Sequence, residues 1–565
     1  MLGRSSGNGS DLLPRYSHIP VSSARTSHYS KVDKPFFRRA TISLRRNRTR
    51  LLACASLFAL VVFILILTLS RSPGTSSIDE AHATDLENNK KDALDVKPVL
   101  NKNAADSEPK RVFGADKEKR DLIKAEFFHA WKGYTENAWG FDDLHPVSRR
   151  GTNGYRMGLT MIDSLDTIII MGLDDEYEKC LEWVRTSLKF KDQKEVNVFE
   201  TTIRVIGSLL SSYALKHEPI FLEKARELAD KLMIAYDTPS GIPYGTVSFD
   251  PPKAFNPSWG GSASSTSEAG SIQLELRYLS AVTHNPAYAK AADRATAALT
   301  SMEKPRGLFT RFVDPATGAN VDNTITLGAR VDSVYEYFLK QWIQSGKKDV
   351  ASYKNYVEHL ERINKELLHV TPKKHLSFYG ELIGDSPRNK MDHLVCFMGG
   401  NLALGSVFAN PPGSRDDDLE LGKKITETCV NAYTMTPTGL SPEIFLLNEN
   451  GKDIVVDPNA RHNLLRPETV ESLFILWRIT HDQKYRDWGW QIFEAFRKHC
   501  RVPTGGYSSL SDVFQTDNER NWSDHMESFF LGETVKYLYL LFSEDDLLPL
   551  DKWVFNTEAH PFPIE

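Results

Sequence analysis

At 565 residues, with 41% apolar and 25% charged side chains, the chain can bury a large core, which excludes a wholly disordered protein. The net charge of −5 conceals a split, because residues 1–50 hold eleven Lys and Arg against two Asp, a head of +9 on a body of −14. A nucleic-acid binder would carry its positive charge on the folded part, so that class is excluded as well.

In chain order, residues 1–50 read as a largely disordered cytosolic tail rich in Ser, Arg and Tyr. Leu51–Leu69 (LLACASLFALVVFILILTL) carries no charge and has roughly the ~20-residue length that crosses a bilayer. Fifty mostly polar residues precede it, which argues against a cleaved signal peptide. Arg38, Arg39, Arg45, Arg46, Arg48 and Arg50 crowd its N-terminal side and only Arg71 follows closely. That asymmetry predicts a single-pass type II anchor with the C-terminal bulk lumenal. Residues 70–110 are polar and read as a lumenal stem. From residue 111 to 565, aromatic and aliphatic residues return with helical periodicity.

A polar turn, an aromatic and an amphipathic helix recur there, marked by Tyr177, Phe221, Tyr288, Tyr353 and Tyr485. Gaps of 44, 67 and 65 residues fit helix pairs, and the last, 132, fits two such units. The reading is an all-α array of stacked helix pairs, either an open solenoid or a closed ring. The long connections Asp237–Gly261 and Thr436–Asn463, rich in Gly, Pro, Ser and Asn, would gather at one rim of a ring and build a site.

Acidic residues recur on apolar helices. Glu200 and Arg204 (FETTIR) lie one turn apart on one face, as do Asp332 and Glu336 (LGARVDSVYEY). Glu468 and Glu471 share RHNLLRPETVESL, where Pro467 suits a first helical turn, and Glu527 and Glu533 flank the apolar stretch in MESFFLGET. Singly, each reads as a surface pair or a cap; together, carboxylates in aromatic surroundings need partners or a task. No Cys or His spacing suggests zinc, no Gly-rich loop suggests phosphate, and Trp259–Ser265 lacks a nucleophile elbow. His393 (KMDHLVCF) reads as a satisfied pocket histidine. Cys180, Cys396, Cys429 and Cys500 follow the anchor's Cys54, and four cysteines allow three pairings. Asn521-Trp522-Ser523 is a candidate glycan acceptor.

The segments MIDSLDTI, FETTIR, SIQLELRYLS, LGARVDSVYEYFLKQWIQ, MDHLVCF, GLSPEI, RHNLLRPETVESLF, GGYSS, MESFFLGETVKYLYLLF and VFNTEAHP, in this order, resemble those of the class I α-1,2-mannosidases, glycoside hydrolase family 47, of the endoplasmic-reticulum type. The resemblance implies a closed (α/α)7 barrel and an inverting, calcium-dependent hydrolase of terminal α-1,2-linked mannose on high-mannose N-glycans. It implies Glu200 as general acid acting through a water, Glu468 as general base, and Asp332 as a third catalytic carboxyl. The acid must keep its proton at neutral pH, for which burial is the expected device. Thr557 matches a residue that binds Ca2+ through its hydroxyl and carbonyl oxygens. Phe529 matches a residue stacking on the sugar, and Arg204, Glu443, Arg466, Glu471, Glu533 and Glu558 match residues holding sugar hydroxyls or calcium-bound waters. Cys396 and Cys429 match the family disulfide, leaving Cys180 and Cys500 free. Arg330 matches an arginine of the members that remove mainly one mannose from the middle branch, which implies an enzyme of the endoplasmic-reticulum membrane. A Golgi-type enzyme that trims further and a lectin-like quality-control factor are the alternatives.

Overall fold

A computed structural model describes residues 113–191 and 193–565 of the chain. The predicted tail, anchor and stem lie outside the described residues. No helix among the described residues is long and apolar enough to cross a membrane.

Helix α1 (Lys117–Asn137) opens the described part, capped by the Asp116 carboxylate, which accepts from the Lys119 N–H. Six helix pairs follow: α2 (Leu165–Ile170) with α3 (Asp174–Thr186), α4 (Gly207–Lys216) with α5 (Pro219–Leu232), α6 (Gln273–Thr283) with α7 (Pro286–Ser301), and α8 (Asp332–Gln344) with α9 (Val350–Glu366). Then come α10 (Phe397–Val407) with α11 (Asp416–Thr434), and α12 (Glu468–Thr480) with α13 (Gln483–His499). Finally α14 (Val535–Leu541) packs against α1 and makes the seventh pair.

The first member of each of the six pairs touches the first member of the next, from α2 round to α12, and α12 touches α14. The π-helical turn Phe530–Thr534, which runs into α14, touches α2 and closes the ring. The inner helices are therefore α2, α4, α6, α8, α10, α12 and α14, the outer ones the rest. This decides between ring and solenoid.

Inner helices are buried almost all round; every residue of α8 from Ser333 to Gln344 is buried. Outer helices bury one stripe and turn the other to solvent, which is the pattern a second layer requires. The five repeating aromatics sit at the third or fourth position of outer helices α3, α5, α7, α9 and α13, each at most 9% exposed. They anchor each outer helix in the groove behind the ring, and Tyr177 and Phe221 of successive pairs meet edge-on at 6.3 Å.

The two long connections are not irregular, as their composition implied. Asp237–Gly261 folds as the hairpin Thr246–Phe249 with Pro252–Phe255, and Thr436–Asn463 as Ile444–Glu449 with Lys452–Val456. Each hairpin also captures a short strand that leads into an inner segment of the ring. Val196–Asn197 pairs with the first and leads to Glu200, while Lys390–Asp392 pairs with the second and leads to His393. A last hairpin, Trp553–Phe555 with Pro561–Pro563, carries Thr557 and Glu558 in its turn.

Candidate active site

The predicted residues converge inside the ring. Asp332 and Glu468 each open an inner helix, α8 and α12, where the helix N-terminus favours negative charge. Glu200 immediately precedes a π-helical turn, Thr201–Ile206, that contains Arg204 and runs into α4. Phe529 immediately precedes the second such turn, Phe530–Thr534, which contains Glu533. The wider turn leaves Glu200 and Arg204 facing each other: Arg204 Nε donates to Glu200 Oε2 at 2.8 Å. Its Nη1 donates to Glu558 and lies 3.3 Å from Ser528 Oγ and 3.4 Å from Asp163 Oδ2.

Arg466 organises the second carboxylate group. Its Nε donates to Glu443 Oε2 at 2.5 Å and its Nη1 lies 3.7 Å from Glu468 Oε1. The two guanidinium groups stand 5.5 Å (Arg204) and 5.8 Å (Arg466) from the centre of the Phe529 ring. One phenyl ring is thus flanked by two arginines, each bound to its own carboxylates.

Behind this ring lies an excess of buried acid. Glu336, Glu471, Glu533 and Glu558 are all less than a tenth exposed. Lys340 ion-pairs with Glu336 and lies 3.5 Å from Glu471. Burial pushes Glu471 up to about 8 against the pull of Lys340, with Glu336 and Glu468 adding repulsion. Burial likewise lifts Glu533 and Glu558 well above the ordinary carboxylate range despite Arg204. Carboxyls packed this way cannot all ionise without a further cation. Thr557 borders the cluster, its hydroxyl donating to Glu336 Oε2 at 2.9 Å. Among the described residues no three His, Cys, Asp or Glu side chains form a direct metal-ligand set. The Thr557 hydroxyl and the surplus of buried carboxyl oxygens around it are the donor chemistry that a hard cation such as Ca2+ accepts, so the residues present fit that ion.

The catalytic candidates differ sharply. Burial, with Glu336 and Glu468 nearby, raises Asp332 to about 7, although the Ser333 N–H hydrogen bond opposes this. Burial also acts on Glu468, but the His393 hydrogen bond and charge, with Arg466, outweigh it and hold the carboxyl below its usual value. Glu200, for which burial was the expected device, has a side chain 34% exposed and paired with Arg204.

Arg330 adopts a left-handed backbone conformation, φ 82°, and its carbonyl accepts from the Ser267 N–H at 2.9 Å. Its guanidinium donates to Glu268, which Asn197 Nδ2 also reaches at 3.1 Å. This ties Arg330 to the strand that leads into Glu200. Sequence reasoning missed Glu268, and it missed Asp163, whose Oδ2 accepts from Ser528 and Arg204. Acids inside apolar stretches such as MIDSLDTI are the signal that would have found Asp163.

Cys396 and Cys429 form the disulfide, and Cys180 and Cys500 are buried free thiols. Asn521, the candidate glycan acceptor, is 2% exposed, and its Nδ2 donates to the Asp512 and Gln515 carbonyls at 2.9 and 2.8 Å.

A family model described as Glycosyl hydrolase family 47 matches residues 126–564. Over 86% of its length the chain is 45% identical to 73% of the endoplasmic reticulum mannosyl-oligosaccharide 1,2-alpha-mannosidase of Mus musculus. It is 42% identical to the mannosyl-oligosaccharide alpha-1,2-mannosidase IA of Drosophila melanogaster, over 81% of this chain and 69% of that protein. Among solved structures, the alpha-1,2-mannosidase from Trichoderma reesei superposes with a TM-score of 0.74 and 32% identity, covering 80% of this chain and all of that one.

Proposed function

The chain belongs to glycosyl hydrolase family 47, and on that footing we propose an inverting, calcium-dependent 1,2-α-mannosidase of high-mannose N-glycans. It acts on the lumenal side of the endoplasmic reticulum, held there by a type II anchor at residues 51–69, and removes mainly one mannose from the middle branch. The observation that carries this reading is the ring of Phe529 flanked by Arg204 and Arg466, each guanidinium holding its own carboxylates.

A terminal mannose stacks on Phe529 while Arg204, Arg466, Glu443 and the buried acids hold its hydroxyls. Glu468, kept ionised, takes a proton from water as the water oxygen bonds to the anomeric carbon. The glycosidic C–O bond breaks on the opposite face and its oxygen takes a proton, so the configuration inverts. Inverting hydrolysis needs carboxyls roughly 6.5–9.5 Å apart to admit that water, and separate arginines holding Glu200 and Glu468 suit such a separation. Calcium, when bound, would supply a hard positive charge that offsets the acids and attracts oxygen donors. The Thr557 hydroxyl and carbonyl would hold it, with Glu336, Glu471, Glu533 and Glu558 ordering its waters.

The family resemblance gives the donated proton to Glu200 through a water. A second assignment, Asp332 as donor, is favoured by its elevation to about 7, which keeps it protonated near neutrality. The Arg330–Glu268 pair at the strand leading into Glu200 supports restriction to one branch. A lectin-like role would leave this full set of acids and arginines without a task.

The test is incubation of the protein with a nine-mannose glycan, with and without a calcium chelator, with products weighed and early anomers read by NMR. Calcium-dependent release of β-mannose, stopping after one residue, is the expected result. Absence of release would overturn the enzymatic reading, α-mannose would overturn inversion, and rapid further trimming would favour the Golgi-type alternative.

A further inference from the structure

Outer helix α1 carries an aromatic stripe that the catalytic ring does not use. Phe128, Thr135 and Trp139 follow one another at helical spacing along α1 and just past its C-cap, a span of roughly 15 Å. With Glu176 and Lys179 of outer helix α3 they line a cleft of about 380 Å3. The cleft therefore belongs to the outer layer, whereas Glu200, Asp332 and Glu468 lie at the starts of inner segments. Its volume is in the range of small-molecule sites, roughly 300–1,000 Å3.

Phe128 is 44% exposed, more than a purely packing role would leave it. Trp139 is half-buried and stands edge-on to the buried Trp131, with ring centres 6.1 Å apart. Trp131 Nε1 donates to Glu176 Oε2 at 2.8 Å, and Lys179 Nζ donates to Glu176 Oε1 at 2.7 Å. That carboxylate is held in one orientation, and each oxygen keeps a lone pair for a further O–H donor. Lys179 balances its charge, and Lys132 on the other wall lies 3.6 Å from Glu136. With charges matched in this way the cleft offers little to an ion. Aromatic faces beside fixed hydrogen-bonding groups suit a neutral polyol, whose C–H faces stack on rings while its hydroxyls bond at the edge.

We propose that this cleft is a carbohydrate-binding site separate from the catalytic pocket, taking a short run of neutral hexose units. Phe128 and Trp139 supply the stacking faces, and Glu176 with Lys179 supplies the bonds to hydroxyls. Mannose as the hexose rests on the family 47 reading above; the cleft itself does not. A second site of this kind keeps a many-branched glycan near the enzyme and so raises its effective concentration at the ring.

The experiment is 19F NMR of the full-length Glu468→Gln chain labelled with 5-fluorotryptophan, the Trp139 signal being identified by its loss in Trp139→Phe. A nine-mannose glycan is titrated in with calcium, and again with a chelator. The Trp139 signal is expected to shift saturably in both, with one midpoint, because the cleft needs no ion. Phe128→Ala, at an exposed position that the fold tolerates, raises that midpoint on the order of 10-fold. In the wild-type background it leaves kcat on a two-mannose substrate unchanged. A Trp139 signal that does not move, or a midpoint that Phe128→Ala leaves as it was, overturns the proposal. A shift seen only with calcium traces to the catalytic pocket and overturns it as well. Should the wild-type chain release no mannose while the shift persists, the enzymatic reading falls and the cleft stands.

Discussion

Asp332 and Glu468 are two carboxyls at equivalent helix starts whose neighbours drive them apart. Glu468 has His393 and Arg466 and is held down; Asp332 has only N–H and hydroxyl partners beside like charges and rises to about 7. Two titrations so separated are what a base and an acid require. If Asp332 is the donor, turnover declines above pH ~7 as it ionises, and Asp332→Asn removes that basic limb along with most of kcat. A basic limb that persists in Asp332→Asn would return the role to Glu200. Arg330 invites a second residue-level test. Arg330→Leu strips the guanidinium from Glu268, a buried acid already raised by burial, and frees the strand that leads into Glu200. The expected outcome is continued trimming past the first mannose with little change in its initial rate, read by mass spectrometry of the product series. Asn521 belongs to this scale too, since a sequon specifies an acceptor side chain and says nothing of the partners its amide has in the fold.

At the level of elements, the outer helices were legible because one aromatic does the same job five times, and repetition survives sequence drift between units. The two rim hairpins were not, because their ladders depend on Val196–Asn197 and Lys390–Asp392, strands outside the connections themselves. Ring closure was equally invisible to periodicity; it rests on α1 meeting α14 and on the Phe530–Thr534 turn meeting α2, contacts between opposite ends of the chain. The family resemblance supplied it instead. Both π-helical turns carry site candidates, Glu200 just before and Arg204 within one, Phe529 just before and Glu533 within the other, as local helix widening often does at sites. Helices α10 and α11 approach so closely beside the disulfide that a Cβ on Gly399 would stand 2.0 Å from Thr426 Oγ1. Gly399→Ala should therefore cost roughly 1–3 kcal/mol, seen as a lower urea midpoint. An unchanged midpoint would mean that the pair can slide apart.

Over the whole molecule, buried acid sets the dependence of stability on pH. Asp332, Glu275 and Glu471 titrate near 7, 7 and 8 in the fold, but near the ordinary carboxylate values once unfolded. From pH 6.5 to 8 the native state thus binds more protons than the unfolded one, and stability falls as pH rises. The histidines held low by burial oppose the trend near pH 6.5, where they are still about half protonated in the unfolded chain, and cease to do so towards pH 8. The thermal midpoint of calcium-free protein should drop across this window, and calcium should raise it most at the alkaline end. A calcium effect independent of pH would separate the ion from the acid cluster. The last hairpin, Trp553–Phe555 with Pro561–Pro563, bears on biosynthesis. It brings Thr557 and Glu558 into a pocket whose other walls come from residues up to four hundred positions earlier. Until that hairpin has been made and docked, the Thr557 side of the pocket is missing, so the pocket is assembled late, when segments far apart in the chain meet. A variant cut before Thr557 would keep nearly all of the ring's helices and is expected to have no activity.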